Sequence, residues 1–250
     1  MEKISDIKAQ LTADELEQFQ EFKRRIGAEA AKAQVTKLEY TLTDVLIEKG
    51  ALRRACQDAN RLELGAICVL PCMVKSCVSF LGSDPKASLI ACISHPAGAD
   101  TIDIKVAAVK RAIKDGVDEV EVTAPIAYIK DGNWAYVKKE FKKIKQAAKQ
   151  RAVRVNIEAS LLTDQEIFKT CQLAADCGVN MIRISSGAYA GVLSPDTIPK
   201  IKSAVKDKCL VKTDGVITLQ DFNDACALGA AAIGSPRAVD LAHLILNTTV

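Results

Sequence analysis

The stretch "MIRISSG", residues 181–187, decides how the chain is read. A helical pattern runs out at Gly178 just before it, and a small-residue turn, "SSGAYAG" (185–191), follows it. Helix, short apolar strand and glycine-bearing loop thus come in the order of one βα repeat. Side chains of a strand alternate faces, so Ile182 and Ile184 share one side while Met181, Arg183 and Ser185 share the other. A guanidinium keeps its proton inside proteins, so Arg183 must meet polar company on its face.

The same repeat extends in both directions. Short runs rich in β-branched residues stand at "KLEYTL" (37–42), "AICVL" (66–70), "LIACIS" (89–94), "EVEVT" (119–123), "RVNIE" (154–158), "MIRIS" (181–185), "LVKT" (210–213) and "AAIGS" (231–235). Helical patterns lie between them, with starts at "TDQE" (163–166) and "SPDT" (194–197) and ends near Gly65, Gly116, Gly178 and Gly229. Thr12 and Glu15 open a further amphipathic helix over 12–33. Eight βα units without a linker or low-complexity tract predict a single α/β domain over 1–250, a (β/α)8 TIM barrel with an extra N-terminal helix. That helix region, 1–35, is expected to cap the N-terminal mouth. An open doubly wound sheet is the alternative, but no GxGxxG or GxxxxGK[ST] follows the first strand.

Composition narrows the classes of function. With 49% hydrophobic and 26% charged residues the chain reads as a globular domain, and a formal charge of +3 is too small to point to nucleic acid. No apolar run is long enough for a membrane span, and "MEKISDIKAQ" lacks a secretory apolar core, so a soluble cytoplasmic protein is expected. Nine cysteines, an odd number in mostly apolar segments, suit reduced thiols better than a disulfide framework. The cluster Cys68, Cys72 and Cys77 has no CxxC pair, and His95 and His243 are the only imidazoles, so no metal site is expected.

Alternation places further charges with Arg183. On the fourth strand Glu119, Glu121 and Thr123 oppose Val120 and Val122, and on the seventh Lys212 and Asp214 oppose Val211 and Thr213. Glu121, Arg183 and Lys212 therefore converge inside the barrel. They read either as a structural ion-pair plug or as a site, since a lysine beside another cation loses proton affinity and gains nucleophilicity. The loops "SSGAYAG", "TDGVIT" (213–218) and "GSPRA" (234–238) follow strands six to eight, where barrels bind phosphate through close backbone N–H groups. The basic run 137–154 is explained by a solvated helix face, with an acidic protein partner as the alternative.

Taken in order, "AICVLPCMV", "ISHPAGADTIDIKVAAVKRAI", "VDEVEV", "IEASLLTDQEI", "MIRISSG" and "VKTDG" resemble deoxyribose-phosphate aldolase, a class I aldolase barrel, over about residues 36–240. The resemblance implies cleavage of 2-deoxyribose 5-phosphate through a Schiff base, with no metal or organic cofactor. It puts Arg183 at the position of the Schiff-base lysine, Lys212 at the second lysine and Glu121 at the proton-shuttling aspartate. It also puts Glu39 at a strand-one aspartate, Cys68 at a cysteine near the substrate, and Ser186, Gly187, Gly215 and Gly234 in the substrate and phosphate loops. The family's phosphate loop, like "SGGIRT", is shortened here to "TDGVIT" and lacks its arginine; Pro236 and Arg237 replace a serine pair, with Arg237 expected as a compensating phosphate partner.

Arginine supplies no free lone pair for imine formation, so the expectation is a member that has lost the aldolase reaction and acts in binding or interaction. The alternatives are an active aldolase or lyase using Lys212 as the amine, and a metabolite sensor. The partners expected are a phosphorylated sugar or other small anion, a protein at the basic 137–154 face, and a second copy of the chain in a homodimer. Nucleic acid and membrane are not expected.

Overall fold

The computed structural model describes residues 13–189, 196–206 and 208–247, and the account that follows concerns these. Eight parallel strands close on themselves in sequence order: β1 (Leu38–Leu42), β2 (Ala66–Val69), β3 (Ser88–Ile93), β4 (Glu119–Thr123), β5 (Ala152–Asn156), β6 (Met181–Arg183), β7 (Leu210–Thr213) and β8 (Ala232–Ser235). The seam is the β1–β8 pairing, with Glu39 opposite Gly234. The helices are α1 (Ala13–Val35), α2 (Lys49–Arg61), α3 (Val74–Leu81), α4 (Ile102–Asp115), α5 (Ile126–Lys130), α6 (Trp134–Ala148), α7 (Asp164–Asp176), α8 (Thr197–Val205), α9 (Leu219–Ala227) and α10 (Ala238–Asn247). This is the (β/α)8 barrel with an added N-terminal helix that the repeat predicts. None of these helices is long and apolar enough to cross a membrane.

Local signals act where they stand. Thr163 caps α7 in a reciprocal box with Glu166, as "TDQE" predicts, and Thr218 does the same with Asp221 for α9. Gly116 closes α4 in the left-handed conformation that glycine adopts without steric cost. The expected caps at Thr12, Ser194 and Pro195 lie outside the described residues. Helix α1 has α10 as its principal packing partner, and Ala31 and Val35 are the buried residues of its last turns.

The two sides of the barrel wall differ in kind. Outward residues such as Val120, Val122, Val153 and Val155 join Val109, Phe141 and Ile144 of the helices in one continuous core. Each fully buried aliphatic or aromatic side chain there contributes roughly 1.5–3 kcal/mol. Inside the barrel a separate small apolar cluster, Ala66, Cys68, Ile90 and Cys92, lies on β2 and β3. Much of the rest of the interior is filled by charge.

Candidate functional site

Strand alternation brings Glu121, Arg183 and Lys212 together as predicted. Register sets Arg183 beside Lys212 across β6 and β7, and Glu121 beside Cys92 across β3 and β4. Arg183 Nη1 forms an ion pair with Glu121 Oε1, and Lys212 Nζ lies 3.2 Å from Glu121 Oε2. Glu39 belongs to the same network: its Oε2 is 2.6 Å from Lys212 Nζ, and its Oε1 accepts from Arg154. Glu39 Oε2 and Arg183 Nη2 meet their partners at ion-pair distance but off the hydrogen-bond direction. Arg154 is held at its other edge by Glu119, with Nε and Nη2 donating at 2.8 and 3.0 Å. Asp214 completes the set, with Oδ2 2.9 Å from Arg183 Nη2 and 3.4 Å from Lys212 Nζ.

Proton affinities follow from this enclosure. Burial pushes the Glu121 carboxyl up, but Arg183, Lys212 and Arg154 outweigh it and hold the group well below its ordinary range. Glu39 moves the same way, burial being overcome by Lys212 and Arg154. For Lys212 burial favours the neutral amine, yet Cys68, Glu121, Glu39 and Asp214 together keep it an ammonium well above the usual lysine value. The expectation that Arg183 would make Lys212 more acidic is overturned: the carboxylates around the amine outnumber its cationic neighbour.

Cys68, which the resemblance puts at a cysteine near the substrate, is buried with its Sγ 3.0 Å from Cys92 Sγ and 3.8 Å from Glu121 Oε1. The partner is Cys92, whereas Cys72 is exposed and Cys77 pairs with Cys56. All nine cysteines are free. Among the described residues, Cys68, Cys92 and Glu121 are the one group with ligand atoms close enough to share a metal ion. Glu121 is already engaged by two cations and Arg183 Nη1 is 3.8 Å from Cys92 Sγ, so a divalent ion there would face fixed positive charge.

The loop residues are closed on themselves. Ser186 N donates to both oxygens of Glu158 at 3.2 Å, and Gly187 N to Ser185 Oγ at 3.2 Å. Gly215 N donates to Asp214 Oδ1 at 3.0 Å. Gly234 is glycine for want of space, because a Cβ built there would overlap the Asp214 carboxylate. Arg237, expected as a phosphate partner, turns its Nε to Asp240 on its own helix at 3.1 Å and is half exposed. The exposed lysines of the basic run, Lys138, Lys139, Lys142 and Lys143, lie on the outer face of α6, while its last member, Arg154, is inside the barrel.

Several members went unassigned from sequence. Arg154, Asn156 and Glu158 alternate with Val155 and Ile157, the same signal that singled out Glu121. Glu158 is fully buried just beyond β5 in the left-handed region, and it accepts from Asn156 Nδ2 at 2.7 Å and Ser185 Oγ at 3.2 Å. His95 lines a cavity of about 340 Å³ with Leu70, Pro71, Cys92, Ser94 and Asp100. Burial and the nearby Arg183 lower its proton affinity.

Ionisable side chains inside a closed barrel, with loop residues at the C-terminal ends of its strands, stand where (β/α)8 enzymes build their sites. The model of the DeoC/LacD family aldolases matches residues 46–234, and the chain belongs to that family. It is 31% identical over 205 residues to the deoxyribose-phosphate aldolase of Clostridium botulinum (strain Loch Maree / Type A3), covering 82% of this chain and 96% of that one. It is also 31% identical over 212 residues to that of Clostridium perfringens (strain SM101 / Type A), covering 83% and 94%. Among solved structures, a putative deoxyribose-phosphate aldolase from Coccidioides immitis superposes with TM-score 0.81 at 22% identity, covering 86% of each chain. The deoxyribose phosphate aldolase from Aeropyrum pernix gives 0.77 at 20%, covering 88% of this chain and 95% of that one. At these identities the structural likeness is one of fold.

Proposed function

We propose that this member of the aldolase family holds a carbonyl compound without forming an imine, and so works as a binding protein in place of a lyase. The observation that carries the reading is the position of Lys212 Nζ among three carboxylates, at 2.6 Å from Glu39, 3.2 Å from Glu121 and 3.4 Å from Asp214. Attack on a carbonyl needs a neutral amine, and this enclosure favours the ammonium. Arg183, which the resemblance puts at the imine-forming position, offers no nucleophilic nitrogen. Glu121 is held as a carboxylate between two cations and is a poor proton carrier at neutral pH. The nine free thiols fit a reducing compartment, and the cytoplasm is the proposed location.

The test is reductive trapping. Protein incubated with acetaldehyde and borohydride is expected to show no mass increment on Lys212 after peptide mapping. An increment there, together with aldol cleavage of deoxyribose 5-phosphate, would replace this reading with an active lyase whose amine is Lys212.

A further inference from the structure

Barrels that bind phosphate draw on backbone N–H groups after the last strands. Here six of those donors, on the described residues, are satisfied from within. To the bonds of Ser186, Gly187 and Gly215 are added Ala188 N to Ser186 Oγ at 3.1 Å, Val216 N to the Gly234 carbonyl at 3.3 Å and Arg237 N to Ser235 Oγ at 2.9 Å. The cations are equally engaged. Asp214, whose side chain is 3% exposed, accepts from Thr41 Oγ1 at 3.1 Å, faces Arg183 and Lys212, and rests against Gly234. An incoming phosphate would have to displace a carboxylate that is covalently tethered and already hydrogen bonded.

We propose that Asp214 is a built-in anion filling the space between the ends of β7 and β8, so that the site refuses phosphate esters and admits small uncharged aldehydes or ketones. The proposal rests on the reading of the barrel as a carbonyl-binding family member. Charge supports it. Glu39, Glu119, Glu121 and Asp214 face Arg154, Arg183 and Lys212, which leaves one negative charge in excess before Glu158 is added. A phosphate dianion entering this low-dielectric interior meets net repulsion, whereas an uncharged ligand does not. The cavity beside Cys92 and His95 is of small-molecule size, about 340 Å³, and Ser94 and His95 give it polar groups of ordinary hydrogen-bonding strength.

Thermal melting and calorimetry with inorganic phosphate test this, using sodium chloride at equal ionic strength as control. Wild type is expected to shift no more with phosphate than with chloride. Asp214→Ser, which frees Gly215 N and the space over Gly234, is expected to bind phosphate at least about tenfold more tightly than wild type. Asp214→Asn, which keeps the shape and drops the charge, should fall between them and stands in if the serine variant does not melt cooperatively. Phosphate binding by wild type, or a folded variant that gains none, would overturn the proposal. Trapping on the same samples separates the two readings. Label on Lys212 without phosphate binding defeats the binding-protein reading alone, and phosphate binding without label defeats only the role of Asp214.

Discussion

Lys105 of α4 and Glu140 of α6 are as deeply buried as Arg183 and Lys212, with no exposed surface on any of the four. The outer pair is simple: Lys105 Nζ reaches Glu140 Oε1 at 2.7 Å and the Thr123 carbonyl at 2.9 Å, and Glu140 Oε2 has no hydrogen-bond partner among the described residues. Inside the barrel each of Glu39 and Glu121 touches two cations. Burial raises all of these carboxyls, and the number of cations decides the outcome. Glu140, with one, is pushed up to about 7, while Glu39 and Glu121 stay below their ordinary value. The interior is therefore a fixed array of charges, and the outer pair is able to share a proton.

The strongest way to break this contrast is to remove one cation from each place. Arg183→Met leaves Glu121 and Asp214 buried with Lys212 as their remaining close partner, and should cost about 3–5 kcal/mol in denaturant unfolding. Lys105→Met should cost less, about 1–3 kcal/mol, because Glu140 escapes by taking up a proton. Equal costs would show that the two sites obey one rule.

The pH dependence sharpens the same point. Glu39 and Glu121 titrate below their unfolded value of 4.5, so their stabilisation is present above about pH 4.5 and is lost as the pH falls further. Glu140 is raised, so its contribution is present below 4.5 and is lost as the pH rises through about 7. Glu140→Gln should therefore flatten the decline between those values, by roughly 1–3 kcal/mol, and leave the acid limb in place. An unchanged profile would mean that Glu140 titrates normally. The smallest effect is expected for Arg237→Ala, whose side chain is tied to Asp240 at the surface: neither melting temperature nor any phosphate response should move.

The barrel was legible because period-2 and helical patterns recur eight times, and the strands begin and end within about two residues of their sequence-read limits. Glu121, Arg183 and Lys212 were legible for the same reason. Arg154 shares their alternation, but it closes a basic run and was read with the surface charges of α6. Alternation put Asp214 on the face of Lys212, but its contact with Gly234 joins the end of β7 to β8, which no local spacing connects. Cys92, 24 residues from Cys68, was missed likewise, since the two meet across the β2–β3 pairing and not through local spacing.

Gly234 has an ordinary negative-side backbone, so space alone excludes a side chain there, and that space is held by residue 214. The two positions are consequently bound in a volume exchange across the last pair of strands. In this chain a side chain at 234 could enter only if the Asp214 carboxylate left its place beside Arg183 and Lys212. A substitution at either position is thus felt at the other, although 20 residues of chain separate them.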